Sequence, residues 1–130
     1  MNITLLKSKL HRATVTEANI NYMGSVTIDA ALMERAGLKE YEQVHVVDID
    51  NGARLVTYVI KGEAGSGVIC LNGAAARLAQ VGDKVIIMSY VGLTPDEVSE
   101  HKPIIVFLDE NNNATSIDAS SGGSPSDDVP

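Results

Sequence analysis

Residues 47–56, VDIDNGARLV, carry the sharpest local signal in the sequence. Two runs of β-forming residues meet at Asn51-Gly52, and asparagine followed by glycine supplies the two positive φ angles of a type I′ turn. The spacing predicts a two-residue hairpin whose facing residue numbers sum to 103, so that Ile49 faces Arg54, Val46 faces Thr57 and His45 faces Tyr58. Side chains alternate along a strand, which puts Arg54, Val56 and Tyr58 on one face and Leu55, Thr57 and Val59 on the other. A guanidinium and a phenol then share a face, about 13 Å apart at Cα by the rise of a strand. A small substrate could bridge their tips.

Outward from the hairpin the chain reads as a succession of short β runs: ITLL, HRATVTEA, SVTI, EQVHVVDID, ARLVTYVI, SGVICL, KVIIMSYV and PIIVFLD. They are rich in Val, Ile, Thr and Tyr and are broken at short intervals by Gly, Asn, Pro or Asp. This rhythm implies a small, mainly β barrel. Two stretches are helical instead. DAALMERAG has Asp29 as N-cap and Gly37 as C-cap, and TPDEVSEH has a capping box of Thr94 and Glu97 with Pro95 at the first helical position.

At 130 residues and 45% hydrophobic composition the chain is one domain's worth with enough apolar material for a core. Its apolar runs are far shorter than the roughly 20 residues of a transmembrane helix, so no membrane partner is expected. The start, MNITLLKSKLHR, lacks the order of a signal peptide and reads as mature, cytoplasmic protein. The single cysteine, Cys70, lies in the apolar run GVICLN and reads as a small core residue. His11, His45 and His101 form no ligand-spaced pair, so no metal site is expected. Of the net charge of −7, five acids and no base fall in residues 109–130, leaving the body at −2 from ten bases and twelve acids. An acidic chain without a basic stripe does not suit a nucleic-acid backbone. The composition of DENNNATSIDASSGGSPSDDVP cannot bury enough surface to offset ordering, and a disordered acidic tail is expected over 111–130, after a domain of residues 1–110.

Two further stretches invite chemistry. In NYMGSVTID, residues 21–29, Gly24 precedes Ser25 inside a strand-like run. One reading is a tight bend using the positive φ open to glycine; the other is a strained bond whose carbonyl the serine hydroxyl attacks. In CLNGAAARLAQVGDKV, Asn72, Gly73, Ala74 and Ala75 present small side chains that let backbone N–H groups approach a carboxylate or carbonyl. A short helix with a close-packed face is the competing reading.

Taken in order, KSKLHRATVT, NYMGSVTID, NGARLVTY and LNGAAA followed by VGDKVII resemble one family, the pyruvoyl-dependent aspartate 1-decarboxylases, from about residue 1 to 108. The resemblance implies a double-psi β-barrel with short connecting helices, assembled as a homotetramer whose active sites lie between subunits. It implies a proenzyme that cuts itself between Gly24 and Ser25 into a β chain of residues 1–24 and an α chain of 25–130, with Thr57 assisting and Ser25 becoming a covalent pyruvoyl group. It further implies that L-aspartate condenses with this group as a Schiff base and leaves as β-alanine and CO₂, for pantothenate and coenzyme A synthesis. Tyr58 is then the proton donor. Lys9 and Arg54 hold carboxylates, Thr57, Asn72 and the backbone of Gly73, Ala74 and Ala75 contact the adduct, and His11 and Tyr22 resemble positions lining the site. Neither a metal nor pyridoxal phosphate is implied. Two other readings compete: a non-enzymic β-barrel binding module in which Gly24-Ser25 is only a bend, and a pyruvoyl decarboxylase for another amino acid. Lys9 and Arg54 favour a diacid over a cationic substrate.

Overall fold

Residues 1–118 are described by a computed structural model, and they are mainly β, as expected. The described strands are β1 (Ile3–Thr14), β2 (Glu17–Asn19), β3 (Ser25–Asp29), β4 (Gln43–Asp48), β5 (Arg54–Gly62), β6 (Ile69–Asn72), β7 (Lys84–Leu93), β8 (Ile104–Leu108) and β9 (Ala114–Asp118). They join in one sheet in the order β2-β6-β3-β5-β4-β7-β1-β8-β9. Helices α1 (Ala30–Ala36) and α2 (Pro95–Val98) and a 3-10 turn, Gly73–Arg77, complete the elements. Among the described residues no helix is long and apolar enough to cross a membrane.

Alternation along the strands sorts the side chains into an inner and an outer face. Val106, Leu10, Ile87, Val46 and Leu55 are in register across β8, β1, β7, β4 and β5. The first four are at most 1% exposed. The adjacent row, Lys9, Met88, His45 and Val56, points outward. Val26, Ile28, Ile69 and Leu71 from β3 and β6 belong to the same buried cluster as Leu10 and Val106, so the sheet is rolled about a single core. Thr16 closes the roll: its N–H donates to Ile69 O at 2.8 Å and its Oγ1 accepts from Ile69 N at 2.9 Å. Each fully buried aliphatic side chain contributes about 1.5–3 kcal/mol relative to exposure.

The helix caps are as the sequence implies. Asp29 Oδ1 accepts the Ala31 N–H at 2.8 Å, and Gly37 ends α1 at φ 73°. Asp29 also accepts from Gly65 N at 3.0 Å and Gly67 N at 2.8 Å, tying the end of β3 to the loop before β6. Burial alone would raise its pKa; the N–H groups of Gly67, Gly65, Ala31 and Leu32 outweigh burial and hold the carboxyl below its ordinary value. At α2, Glu97 Oε1 accepts the Thr94 N–H at 2.8 Å.

Three expectations are corrected. The hairpin pairs Val47 with Arg54, Val46 with Leu55, His45 with Val56, Val44 with Thr57 and Gln43 with Tyr58, a sum of 101 rather than 103. Asp48 is the cause. Its Oδ1 accepts the Asp50 and Asn51 N–H groups at 2.8 and 3.2 Å, while Asn51 Oδ1 accepts Ala53 N at 2.7 Å, so side chains hold a wider loop than a two-residue turn. A shift of two preserves the faces. ITLL and HRATVTEA are not separate strands for most of their length: they fuse in β1, with register shifts between Leu6 and Ser8 and between Leu10 and Ala13. Arg12 at the second shift has φ 66°.

The third correction concerns the tail. Residues 114–118, expected to be disordered, form β9 against β8. Asn112, 3% exposed, anchors it: Nδ2 donates to Thr14 O and Gly67 O at 2.9 and 2.8 Å, and Oδ1 accepts Thr14 N at 2.7 Å. Average polarity concealed one asparagine whose amide groups are nearly all paired. The rest of the expected tail, 119–130, lies outside the described residues.

Candidate active site

β3 lies between β6 and β5, and this placement assembles the candidate site. Ser25 opposes Asn72 in the antiparallel β3-β6 pair. In the parallel β3-β5 pair Val26 faces Val59, an offset of 33. Continued back by one residue, that offset sets Ser25, the first residue of β3, beside Tyr58, on strands about 4.8 Å apart; Gly24 lies just outside the strand. Parity then places Ser25, Thr27, Cys70, Asn72, Tyr58, Val56 and Arg54 on one face. Thr57 shares the opposite face with the core residue Val59, as expected.

Ser25 is fully buried and Asn72 is 2% exposed. Asn72 Nδ2 donates to Ser25 Oγ at 2.9 Å and to Thr27 Oγ1 at 2.9 Å, while Asn72 Oδ1 accepts the Cys70 thiol at 3.1 Å. The Ser25 hydroxyl donates to Met23 O at 3.1 Å. Burial first, and then the Glu17 charge, push the Cys70 thiol above its ordinary pKa and keep it a donor.

Gly73 explains the small residues after Asn72. It sits at φ 64°, and a Cβ there would stand 2.7 Å from both Gly24 Cα and Gly24 N and 2.9 Å from Tyr22 O. The backbone of the 3-10 turn therefore rests directly on the Gly24-Ser25 segment. Gly24 itself is not among the positive-φ residues, and a Cβ built on it meets nothing within 4 Å. The positive-φ bend expected of that glycine is not present. Residues 73–77 form the short helical turn that was the competing reading, and it packs its backbone against Gly24.

The remaining candidates are dispersed. Tyr58 is half-buried beside Tyr41, ring centroids 6.4 Å apart, and Tyr41 is 71% exposed. Arg54 is exposed at the start of β5, at the edge of a 140 Å³ depression with His45 and Val56. Tyr22 is exposed in the loop before Gly24. Lys9 lies on the outer face of β1, separated from β5 along the sheet by β7 and β4, and β1 does not pair with β3. His11 is buried edge-on against Phe107 at 5.5 Å, with Nδ1 lacking a hydrogen-bond partner. Burial, then the charges of Lys9 and Arg12, hold its pKa below the ordinary imidazole value, so the ring is neutral at pH 7.

Sequence reasoning missed Thr27, Cys70, Tyr41 and the Met23 carbonyl. The first two sit two positions from Ser25 and Asn72, so strand alternation would have found them once β3 was paired with β6.

The aspartate decarboxylase family model matches residues 1–115. The chain is 65% identical over 113 residues to the aspartate 1-decarboxylase of Clostridium botulinum (strain Loch Maree / Type A3), covering 87% of this chain and 89% of that protein. It is 64% identical over 115 residues to the aspartate 1-decarboxylase of Ruminiclostridium cellulolyticum, covering 88% and 90%. Among solved structures it is similar to the rationally designed mkDPBB_sym_86 protein, with TM-score 0.46 and 22% identity over 70% of this chain and 99% of that one. With a family model spanning almost all of the described residues and relatives this similar over most of their length, the chain belongs to the aspartate decarboxylase family.

Proposed function

We propose that this protein is a self-processing decarboxylase that converts L-aspartate to β-alanine and CO₂, using a pyruvoyl group made from Ser25. The observation that carries the reading is the fixation of Ser25 Oγ by Asn72, with Gly73 seated against Gly24. In maturation Ser25 Oγ bonds to the Gly24 carbonyl carbon, the Gly24-Ser25 C–N bond breaks, and the hydroxyl proton ends on the Ser25 nitrogen. Loss of the Ser25 Cα proton and cleavage of Cβ–Oγ then release Gly24 as a carboxylate and leave a dehydroalanine; water removes its nitrogen as ammonia. Asn72 is suited to steady charge developing on Oγ because its amide already donates there. Thr57, the neighbour of Tyr58 on β5, is assigned to the Gly24 carbonyl.

The residues present suit such a group: a buried amide donor reaches position 25, and a glycine leaves the backbone room that a Cβ would fill. A pyruvoyl carbonyl supplies the electron sink that no ordinary side chain offers. Cleavage also turns residues 20–24 into a chain end, which opens the buried position 25 to substrate. Tyr58, beside position 25 by register, is assigned the proton delivered to Cα. Arg54 is assigned a substrate carboxylate, which its planar fork can meet in two parallel bonds. Lys9 would complete the pocket from a neighbouring subunit of a homotetramer, since β1, which carries it, does not pair with β3. The β-alanine formed would feed pantothenate and coenzyme A synthesis.

Denaturing intact-mass measurement tests the reading. The expected result is two fragments, 1–24 and 25–130, the second with a blocked N-terminus, together with CO₂ release from aspartate in preference to glutamate or histidine. Ser25→Ala should remain one chain without activity. An aged wild-type chain that stays intact, or an alanine variant that still cleaves, would overturn the mechanism. Tyr58→Phe should mature normally yet turn over about 10²-fold more slowly, the scale of a lost general acid. Unchanged turnover would move the proton donor elsewhere.

A further inference from the structure

We propose that Cys70 and Thr27 are positioning residues for Ser25, acting through Asn72; this rests on the reading of Ser25 given above. A side-chain amide presents one acceptor and two donors, and rotation by 180° about its last bond exchanges them at almost no steric cost. The orientation is set by neighbours that favour one sense: a thiol that accepts poorly, and a Ser25 hydroxyl whose proton is already given to Met23 O. Cys70 Sγ lies 3.1 Å from Asn72 Oδ1, and Thr27 Oγ1 lies 2.9 Å from Nδ2. With the thiol donating to Oδ1 and the threonine oxygen accepting one N–H, the second N–H is directed at Ser25 Oγ, 2.9 Å away. In the opposite orientation Oδ1 would face Ser25 and accept its proton. The hydroxyl lone pair would lose its donor, and NH₂ would face a sulfur that accepts poorly.

The strand pattern fixes this arrangement. Thr27 follows Ser25 by two on β3, Cys70 precedes Asn72 by two on β6, and the register pairs Ser25 with Asn72 and Thr27 with Cys70. The four residues thus form two adjacent cross-strand pairs on one face. Cys70 is 6% exposed and Asn72 2%, so the amide oxygen is shielded from bulk water. Removing the thiol would leave Asn72 Oδ1 unpaired and buried, a situation the amide escapes by rotating away from its working orientation.

The test is the rate of self-cleavage of the full chain, followed by denaturing mass measurement, in Cys70→Val, Cys70→Ser, Thr27→Val and Thr27→Ser. The valine variants lose the hydrogen bond, Thr27→Val at constant volume and Cys70→Val with slightly added bulk that Cys70→Ala controls for; they should mature about tenfold more slowly. The serine variants restore a hydroxyl and should return to within about threefold of wild type. Melting temperatures measured alongside should not follow this order, since a purely structural role gives no reason for serine to rescue and valine to fail. Where a valine variant does not fold, alanine at the same position takes its place in the comparison. Valine variants that cleave as fast as wild type, or serine variants as slow as valine, overturn the proposal while leaving the reading of Ser25 intact. A wild-type chain that never cleaves overturns that reading, and this proposal with it.

Discussion

Gly73 is where one added carbon reports most directly on the Gly24-Ser25 bond. Its φ of 64° lies in the left-handed region, and the Cβ of an alanine would meet Gly24 backbone atoms at 2.7 Å. Backbone cannot swing aside as a flexible side chain does, so Gly73→Ala must displace the segment that carries the bond. Self-cleavage should slow by at least about tenfold, consistent with a displacement on the order of an ångström at a reacting centre. A denaturing mass time course checks this, and cleavage at the wild-type rate would show that the contact does not hold the bond. Only part of this site was legible in the sequence. Residues 72–75 announce a close backbone approach through their small side chains, but what they approach lies 47 positions away from Asn72. Local pattern gives each strand its faces; it does not say which strands become neighbours. For that reason Ser25 and Asn72 were identified by resemblance, while Thr27 and Cys70 required the β3-β6 pairing.

The β4-β5 hairpin shows what a strand element owes to its polar ends. Asn51-Gly52 marked the turn correctly, yet the Asp48 carboxylate captured two N–H groups and moved the register by two. Propensity is a weak constraint beside a buried side chain that needs partners. Asp48 is 2% exposed and its Oδ2 has no hydrogen-bond partner; one carboxylate oxygen each of Asp48, Asp50 and Asp83 lie within 4.8 Å of one another. Burial, and then the neighbouring Asp83, raise the Asp48 pKa to about 6, while its proton shared toward Asp83 lowers that partner's. A raised carboxyl pKa means that the folded chain binds this proton more tightly than the unfolded chain does. The resulting stability is complete below about pH 4 and is lost as pH climbs through about 6. Asp48→Asn imitates the protonated form and keeps Oδ1 for the two N–H groups. Relative to wild type it should therefore gain stability between pH 4.5 and pH 7.5, by roughly 1–2 kcal/mol for a shift shared between two coupled groups. Urea melts at both pH values measure the difference. An unchanged difference would mean that Asp48 is ionised throughout.

At the scale of the molecule, the rolled sheet separates residues that the proposed chemistry needs together. Lys9 and Arg54 stand on the outer surface, with β7 and β4 between their strands, and Ser25 is one strand beyond Arg54. β1 does not pair with β3, so the ladder itself does not bring Lys9 to Ser25. In the proposed homotetramer a second copy of the chain supplies the missing group. If Lys9 serves the Ser25 of a neighbour, two inactive variants should repair one another. Lys9→Ala retains a competent residue 25 and Ser25→Ala retains a competent Lys9, so a mixed assembly contains sites built from the intact half of each. Random equal mixing in cells expressing both chains should restore about a quarter of the wild-type sites, the product of two even chances at a two-chain site. Lys9 acting within its own chain gives none, since every chain then carries a defect. Decarboxylation of aspartate by the purified mixed assembly, compared with each variant alone, separates these outcomes. Activity no higher than the better single variant would place Lys9 in the same chain as the serine it serves.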